Sequence, residues 1–174
     1  SKQMNYRTEN FYNNKEKHIT NIIRKLDIKP RTCIDVGAGA GHWSEFCHHS
    51  FDIPYKKITA LDISKPALDY VEKRCPNINT RLVELGVDTM DGISPADLAL
   101  AIGVLHHVTS IDRLGSALRD ILSVAEYLLI FPIHLPLTDD EKVHNRRHKH
   151  AHHKSYWQRG DYLDALAKTS GAPS

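Results

Sequence analysis

The sequence predicts an α/β fold in which a mainly parallel sheet carries helices on both faces. Three observations predict it. Short apolar, strand-like runs alternate with stretches of helical periodicity from Thr32 to Phe131. The run Asp97-Leu98-Ala99-Leu100-Ala101 is apolar on both of its faces, as a central strand must be when helices cover both sides. A turn with glycines at 37, 39 and 41 joins the first strand to the next helix.

Each element has its own signal. Ile19, Ile22, Ile23 and Leu26 share one helical face, so a helix precedes the first strand, and Pro30 separates the two. Thr32 to Val36 reads as a short buried strand that Gly37 to Gly41 ends, and a helix follows through Trp43, Phe46 and Cys47. Ile58 to Leu61 is a second strand. Ser64 then caps a helix with Pro66 in its first turn and Leu68 and Val71 facing inward. Thr80 to Leu85 is a third strand and Asp97 to Ala101 a fourth. Ile111, Leu114, Leu118, Ile121 and Leu122 mark an amphipathic helix capped by Ser110 or Thr109. Tyr127 to Phe131 is a fifth strand, stopped by Pro132.

The bulk properties bound the function. The 174 residues suit one domain: a helical segment at 1–29, a core at 30–133, and a basic loop with a helix at 134–174. No apolar run approaches the roughly 18 residues that span a bilayer, and no signal peptide is visible. Cys33, Cys47 and Cys75 form no CxxC pair, which fits a reducing compartment and a cytoplasmic location. The net charge of +2 does not by itself call for a polyanionic partner.

Ligands of such sheets bind beyond the carboxyl ends of the strands. The candidate residues are therefore Asp35 to Gly41, Asp62, Asp88, Ile102 to His107, and Ile133-His134. Free N–H groups at the start of a helix favour a negative group, so a nicotinamide dinucleotide is the first competing ligand. Its fingerprint needs a small residue where this chain has His42. Asp35 would also face a pyrophosphate unfavourably. It suits a ligand carrying positive charge, such as the ammonium and sulfonium of S-adenosylmethionine. Asp62 can accept both ribose hydroxyls or cap the helix that follows. Asp88 can accept the adenine amino hydrogen while Val87 or Thr89 packs on the ring, or it is a plain turn aspartate.

These motifs carry a resemblance. Ile34-Asp35-Val36-Gly37-Ala38-Gly39-Ala40-Gly41 resembles motif I of class I S-adenosylmethionine-dependent methyltransferases. Ala60-Leu61-Asp62-Ile63-Ser64 resembles the family's acidic end of strand two, and Asp97 through Val108 its fourth strand with the turn Val104-Leu105-His106-His107. His144 to Leu166 is similar to the loop and helix after strand five in small-molecule methyltransferases. The resemblance covers about residues 30 to 168 and implies a Rossmann-like fold with S-adenosylmethionine as cofactor. It implies that Asp35 and the backbone of Gly37, Ala38, Gly39 and Gly41 hold the methionine end. Asp62 with Ile63 would hold the ribose, and Asp88 with Val87 the adenine. Ala101 and Ile102 would line the methionyl side. The family usually ends in a β-hairpin, and no strand-like run follows Leu166. Two alternatives follow: the domain is truncated, or an additional domain or a partner covers that sheet edge.

The expected reaction is methyl transfer to a small-molecule acceptor, with an anionic sugar or carboxylate among the candidates. The alternatives are a non-catalytic or partner-dependent module of a larger assembly and, less favoured, an NAD-dependent oxidoreductase. His106 and His134 are the candidate proton acceptors, with His107 in the same turn as His106; the alternative is that His106 or His107 merely fixes the turn by hydrogen bonding and that His134 is structural. From Lys142 to Arg159 the chain carries six Lys or Arg, five His and no carboxylate. Within it, His144 to Lys154 reads as a solvated loop or flap, as an anion-recognition element, or as a metal site, with a flap at 142 to 154 expected over the acceptor side. No cysteine or carboxylate stands at metal-ligand spacing nearby, and metal is not expected. With only Tyr156 and Trp157 interleaved, a nucleic-acid partner is poorly supported.

Overall fold

The computed structural model describes residues 2–131, with side chains from residue 12 onward. Helix α1 (Lys2–Lys25) leads into strand β1 (Cys33–Val36) and helix α2 (His42–Phe51). Strand β2 (Ile58–Asp62), helix α3 (Lys65–Arg74) and strand β3 (Asn79–Leu82) follow. Strand β4 (Ala96–Ile102), helix α4 (Ile111–Val124) and strand β5 (Ala125–Phe131) complete the described chain. The five strands form one sheet in the order β3-β2-β1-β4-β5, and every neighbouring pair is parallel.

Alternation along the strands builds two cores. Cys33, Leu98, Leu100 and Ile102 point to the face covered by Ile19 and Ile23 of α1, Phe46 of α2, and Leu68 and Val71 of α3. Ile34, Val36, Ala99 and Ala101 point to the opposite face, against Leu114, Leu118 and Ile121 of α4. Burying each large aliphatic side chain is worth about 1.5–3 kcal/mol. Small alanines on the α4 side of β4 leave room for that helix to lie close.

The helix ends follow their local chemistry. Ser64 Oγ accepts from Ala67 N–H at 3.4 Å, with proline in the first turn of α3. Ser110, not Thr109, caps α4, accepting from Arg113 N–H at 3.2 Å. Leu26 lies just past the end of α1 and is exposed, as is Leu122 on α4. The expected core faces are therefore narrower than the periodicity suggested.

The third strand differs from expectation. It stops at Leu82, not Leu85. Val83 N–H still donates to Asp62 O at 2.9 Å, and the chain then turns, with Val87 and Asp88 N–H both donating to Glu84 O at 3.0 Å. Residues 83–85 leave the sheet at its carboxyl edge. The strand order reverses between β1 and β4, which opens a crevice at that edge.

Candidate functional site

A cleft of about 490 Å³ opens at the carboxyl ends of the strands. One wall is Gly37 and Gly39 of the glycine loop with Leu61, Asp62 and Ile63 at the end of β2. The second is Val83, Glu84 and Leu85 beyond β3. The third is Gly103, Val104, His107 and Val108 beyond β4, with Arg113 from α4. Size, apolar walls and a few convergent polar groups are those of a small-molecule or cofactor site.

The glycine loop is built by left-handed backbone. Gly37, Gly39 and Gly41 have φ of 73°, 52° and 82°. Space also demands glycine at 37, where a Cβ would stand 2.3 Å from Val104 Cγ2. At Gly39 a Cβ would meet nothing within 4 Å, so this residue faces open cleft. The loop is pinned from three directions. Gly37 and Ala38 N–H donate to Leu61 O at 2.8 and 2.9 Å. Gly39 N–H donates to Asp62 Oδ2 at 2.9 Å. Arg74 at the end of α3 donates to Ala40 O at 3.1 Å and to Glu45 Oε2 at 2.6 Å.

Asp62 lines the cleft while holding it together. Its Oδ1 accepts from Ser64 N–H at 2.8 Å and its Oδ2 from Gly39 N–H. A carboxylate has about four lone-pair positions, so both oxygens keep capacity for ligand hydroxyls. Ile63 beside it is exposed on the cleft wall.

Asp35 sits deeper. It points to the α2 face, is 1% exposed, and its Oδ2 accepts from Ser44 Oγ at 2.7 Å. Oδ1 is buried with no hydrogen-bond partner among the described residues. Burial pushes this carboxyl up from 3.8 to about 6, against the opposing effect of Ser44; Asp62 adds to the rise. A buried carboxylate short of partners beneath the glycine loop is an arrangement that a cation above it would relieve.

Other expected residues stand elsewhere. Ala38 and Gly41 are buried in the loop, and Ala101 and Ile102 are buried in β4; the next two residues, Gly103 and Val104, reach the cleft. Asp88 lies outside the cleft lining, because its Oδ2 folds back to accept from Glu84 N–H at 2.8 Å. Val87 is exposed outside the lining. Of the histidine pair on the short 3-10 turn Leu105–His107, His107 lines the cleft, and the ring of His106 lies 4.0 Å from it. His134 and the basic segment 142–159 lie outside the described residues. Among the described residues no group of three or more His, Cys, Asp or Glu could hold a metal ion.

His42 explains how a bulky residue fits immediately after the loop. Its Nε2 lies 2.9 Å from Glu16 Oε1, and its ring lies 4.0 Å from that of Tyr12. The side chain turns toward α1, not toward the cleft. Val83, Glu84, Leu85, Val108 and Arg113 entered the site without being among the sequence candidates, whereas Gly103 and Val104 lay within the candidate run Ile102 to His107. An earlier strand end at Leu82 would have pointed to Glu84 and Leu85. Arg113 had no local signal, because its partner is 29 residues away.

The comparisons with known proteins show the family and the fold. A family model described as "Methyltransferase domain" matches residues 34–125, from β1 to the start of β5. The chain belongs to the methyltransferase domain family. No curated protein sequence matches it. Among solved structures, this methyltransferase domain is similar to a TehB-like SAM-dependent methyltransferase from Corynebacterium glutamicum. The TM-score is 0.59 at 17% identity, over 86% of this chain and 70% of that one. It is also similar to CalS10, an amino pentose methyltransferase from Micromonospora echinaspora in a SAM-bound structure. There the TM-score is 0.58 at 16% identity, over 71% of this chain and 51% of that one. The sugar N-methyltransferase KedS8 from a Streptoalloteichus species gives 0.57 at 16% identity, over 70% and 48%. At such identities the likeness is one of fold, the Rossmann-like fold of class I methyltransferases. The chain spans about half the length of the last two. Among the described residues no helix is long and apolar enough to cross a membrane.

Proposed function

We propose that this methyltransferase domain binds S-adenosylmethionine in the cleft and passes its methyl group to a small-molecule acceptor. The observation that carries the reading is Asp62. Its carboxylate stands at the carboxyl end of β2, on the cleft surface, and ties the glycine loop to the start of α3. Two hydroxyls on one ligand edge can share its remaining lone pairs. The buried Asp35 supplies negative charge beneath the glycine loop, which favours a cationic ligand end over a pyrophosphate. The apolar side chains of Ile63, Val83 and Leu85 suit the faces of a purine.

The bound donor supplies an electrophilic methyl on sulfonium. The protein's task is then alignment, which can contribute roughly 7–11 kcal/mol. Gly39, Gly103 and Val104, which line the cleft, would position the donor so that its methyl is open to an acceptor. An oxygen or nitrogen acceptor must also lose a proton. His107 in the cleft wall, with His106 against it, is placed for that; His134 and the basic segment are assigned to the acceptor side from sequence alone. The positive charge of residues 142–159 favours an anionic acceptor. CalS10 and KedS8 act on sugars, and a sugar acceptor is in keeping with the open cleft.

Titration calorimetry with S-adenosylmethionine and S-adenosylhomocysteine tests the reading. Micromolar or tighter binding is expected, with a thermal shift equivalent to about 2.7 kcal/mol at a hundredfold excess over Kd. A folded protein showing no shift at millimolar ligand would overturn it. A second reading is a partner-dependent module, favoured by the outer edge of β5, which pairs with no strand among the described residues. Cofactor binding without turnover on any sugar or carboxylate acceptor, restored by a partner domain, would select it.

A further inference from the structure

Both ends of α3 hold the glycine loop. At its start, Asp62 accepts from Ser64 N–H and from Gly39 N–H. At its end, Val71 and Arg74 reach Ala40 and Gly41. A Cβ on Gly41 would stand 3.2 Å from Val71 Cγ2, and Arg74 Nη1 donates to Ala40 O at 3.1 Å. Arg74 Nη2 donates to Glu45 Oε2 at 2.6 Å, and Glu45 N–H donates to Gly41 O at 3.0 Å. Neither Arg74 nor Glu45 is among the residues that line the cleft.

We propose that Arg74 is a positioning residue for the methyl donor: it fixes the peptide between Ala40 and Gly41, so that the glycine loop already has its binding shape before the ligand arrives. The proposal rests on the methyl-donor reading above. A peptide group is planar, with its C=O and N–H pointing opposite ways. Here the C=O is held by Arg74, and the N–H donates to Ala38 O at 2.8 Å. Rotating this peptide would break both bonds together. Glycine at 41 makes the rotation easy, because it passes between positive and negative φ at little steric cost. Gly39, one residue before Ala40, lines the cleft, so a rotated peptide would disturb the surface that meets the ligand. Glu45 keeps the guanidinium in place by occupying Nη2, which leaves Nη1 for the loop. Both side chains are partly exposed, so solvent screens their attraction and the ion pair alone adds little stability. Its effect is one of geometry. When a loop holds the competent shape only part of the time, its ligand's affinity falls by that fraction.

Amide hydrogen exchange of the ligand-free chain and titration calorimetry with S-adenosylhomocysteine test this together. Arg74→Met should speed exchange of the Gly41 amide and raise Kd about five- to twentyfold. Arg74→Lys keeps the charge without the two-pronged grip, so it should recover part of the affinity. Glu45→Gln should weaken binding less than Arg74→Met. Adding it to Arg74→Met should cost little more, because both act through one contact. Lys73→Met removes an exposed charge one residue away and should leave Kd unchanged. An unchanged Kd in folded Arg74→Met would overturn the proposal. If Arg74→Met does not fold, an unchanged Kd in both Arg74→Lys and Glu45→Gln would do the same. A raised Kd with unchanged Gly41 exchange would mean that Arg74 acts by another route, and equal weakening by Lys73→Met would mean that only the local charge matters; either result sinks the idea while the methyl-donor reading stands. Failure of the unmodified chain to bind S-adenosylhomocysteine would overturn that reading and this inference with it, however fast the Gly41 amide exchanges.

Discussion

Gly39 N–H donates to Asp62 Oδ2 at 2.9 Å, joining the centre of the glycine loop to the end of the second strand across 23 residues. The same carboxylate also accepts from Ser64 N–H. Asp62 therefore shapes the loop and, in the proposed function, holds the ligand.

Replacing Asp62 with alanine should both weaken S-adenosylhomocysteine and loosen the free protein. Loss of hydrogen bonds to a charged acceptor costs about 1.5–3 kcal/mol, so Kd should rise about ten- to a hundredfold by calorimetry. The melting temperature of the free variant should also fall. Unchanged affinity in a folded variant would reduce Asp62 to a structural tie.

The loop glycines should separate in their effects. Gly37→Ala combines a left-handed backbone with a Cβ 2.3 Å from Val104, so it should cost about 2–4 kcal/mol in urea unfolding. At Gly39 the new methyl would point into open cleft. Gly39→Ala should cost only about 1–2 kcal/mol of stability, through backbone strain, yet weaken cofactor binding more than its stability loss suggests. Equal destabilisation by the two substitutions would contradict this geometry.

Asp35 gives the protein a pH signature. Its carboxyl is raised from 3.8 to about 6 by burial. A raised folded value means the native state holds the proton more tightly. The associated stability is present below pH 3.8 and is lost as pH rises through about 6. Over two pKa units this amounts to about 3 kcal/mol. The stability difference between Asp35→Asn and the unmodified chain should therefore move by about that amount in favour of asparagine from pH 4 to pH 8. A difference that stays flat with pH would place the charge elsewhere. Bound S-adenosylmethionine should shrink the difference, because a cationic ligand stabilises the ionised form.

Asp97 should act with the opposite sign. It accepts from Arg31 N–H at 2.6 Å and Thr32 N–H at 3.1 Å, and its own N–H donates to Thr32 Oγ at 2.8 Å. The Arg31 bond, above all, holds its carboxyl below the ordinary 3.8. A lowered folded value gives stability that is present above pH 3.8 and lost as pH falls through the folded value. Asp97→Asn should remove part of the acid sensitivity below pH 4 and lower stability at pH 7, with little effect on the cleft at the opposite edge of the sheet. A shift in cofactor affinity matching the stability loss would show that this edge is coupled to the site.

Sequence by itself determined what local chemistry decides. The glycines at 37, 39 and 41 announce a left-handed turn, because other residues pay a steric penalty there. Ser64 and Ser110 announce helix starts, because their hydroxyls reach N–H groups three residues on. The mainly apolar runs of β1, β2 and β4 announce buried parallel strands, because helices cover both faces of the sheet. Asp62 was legible for the same reason, as the acidic residue that closes a strand. Tertiary structure decided everything that depends on residues far apart in the chain meeting in space. The reversal of strand order between β1 and β4 brings Val104 against Gly37, and no local pattern encodes that contact. The carboxylate on the cleft beyond β3 belongs to Glu84 because the ladder ends at Leu82 and Asp88 turns back to cap the turn. His42 faces α1 because Glu16 and Tyr12 are there to receive it. Arg113 enters the site only when α4 packs onto the sheet, since its reach to Glu84 spans 29 residues that periodicity treats as unrelated.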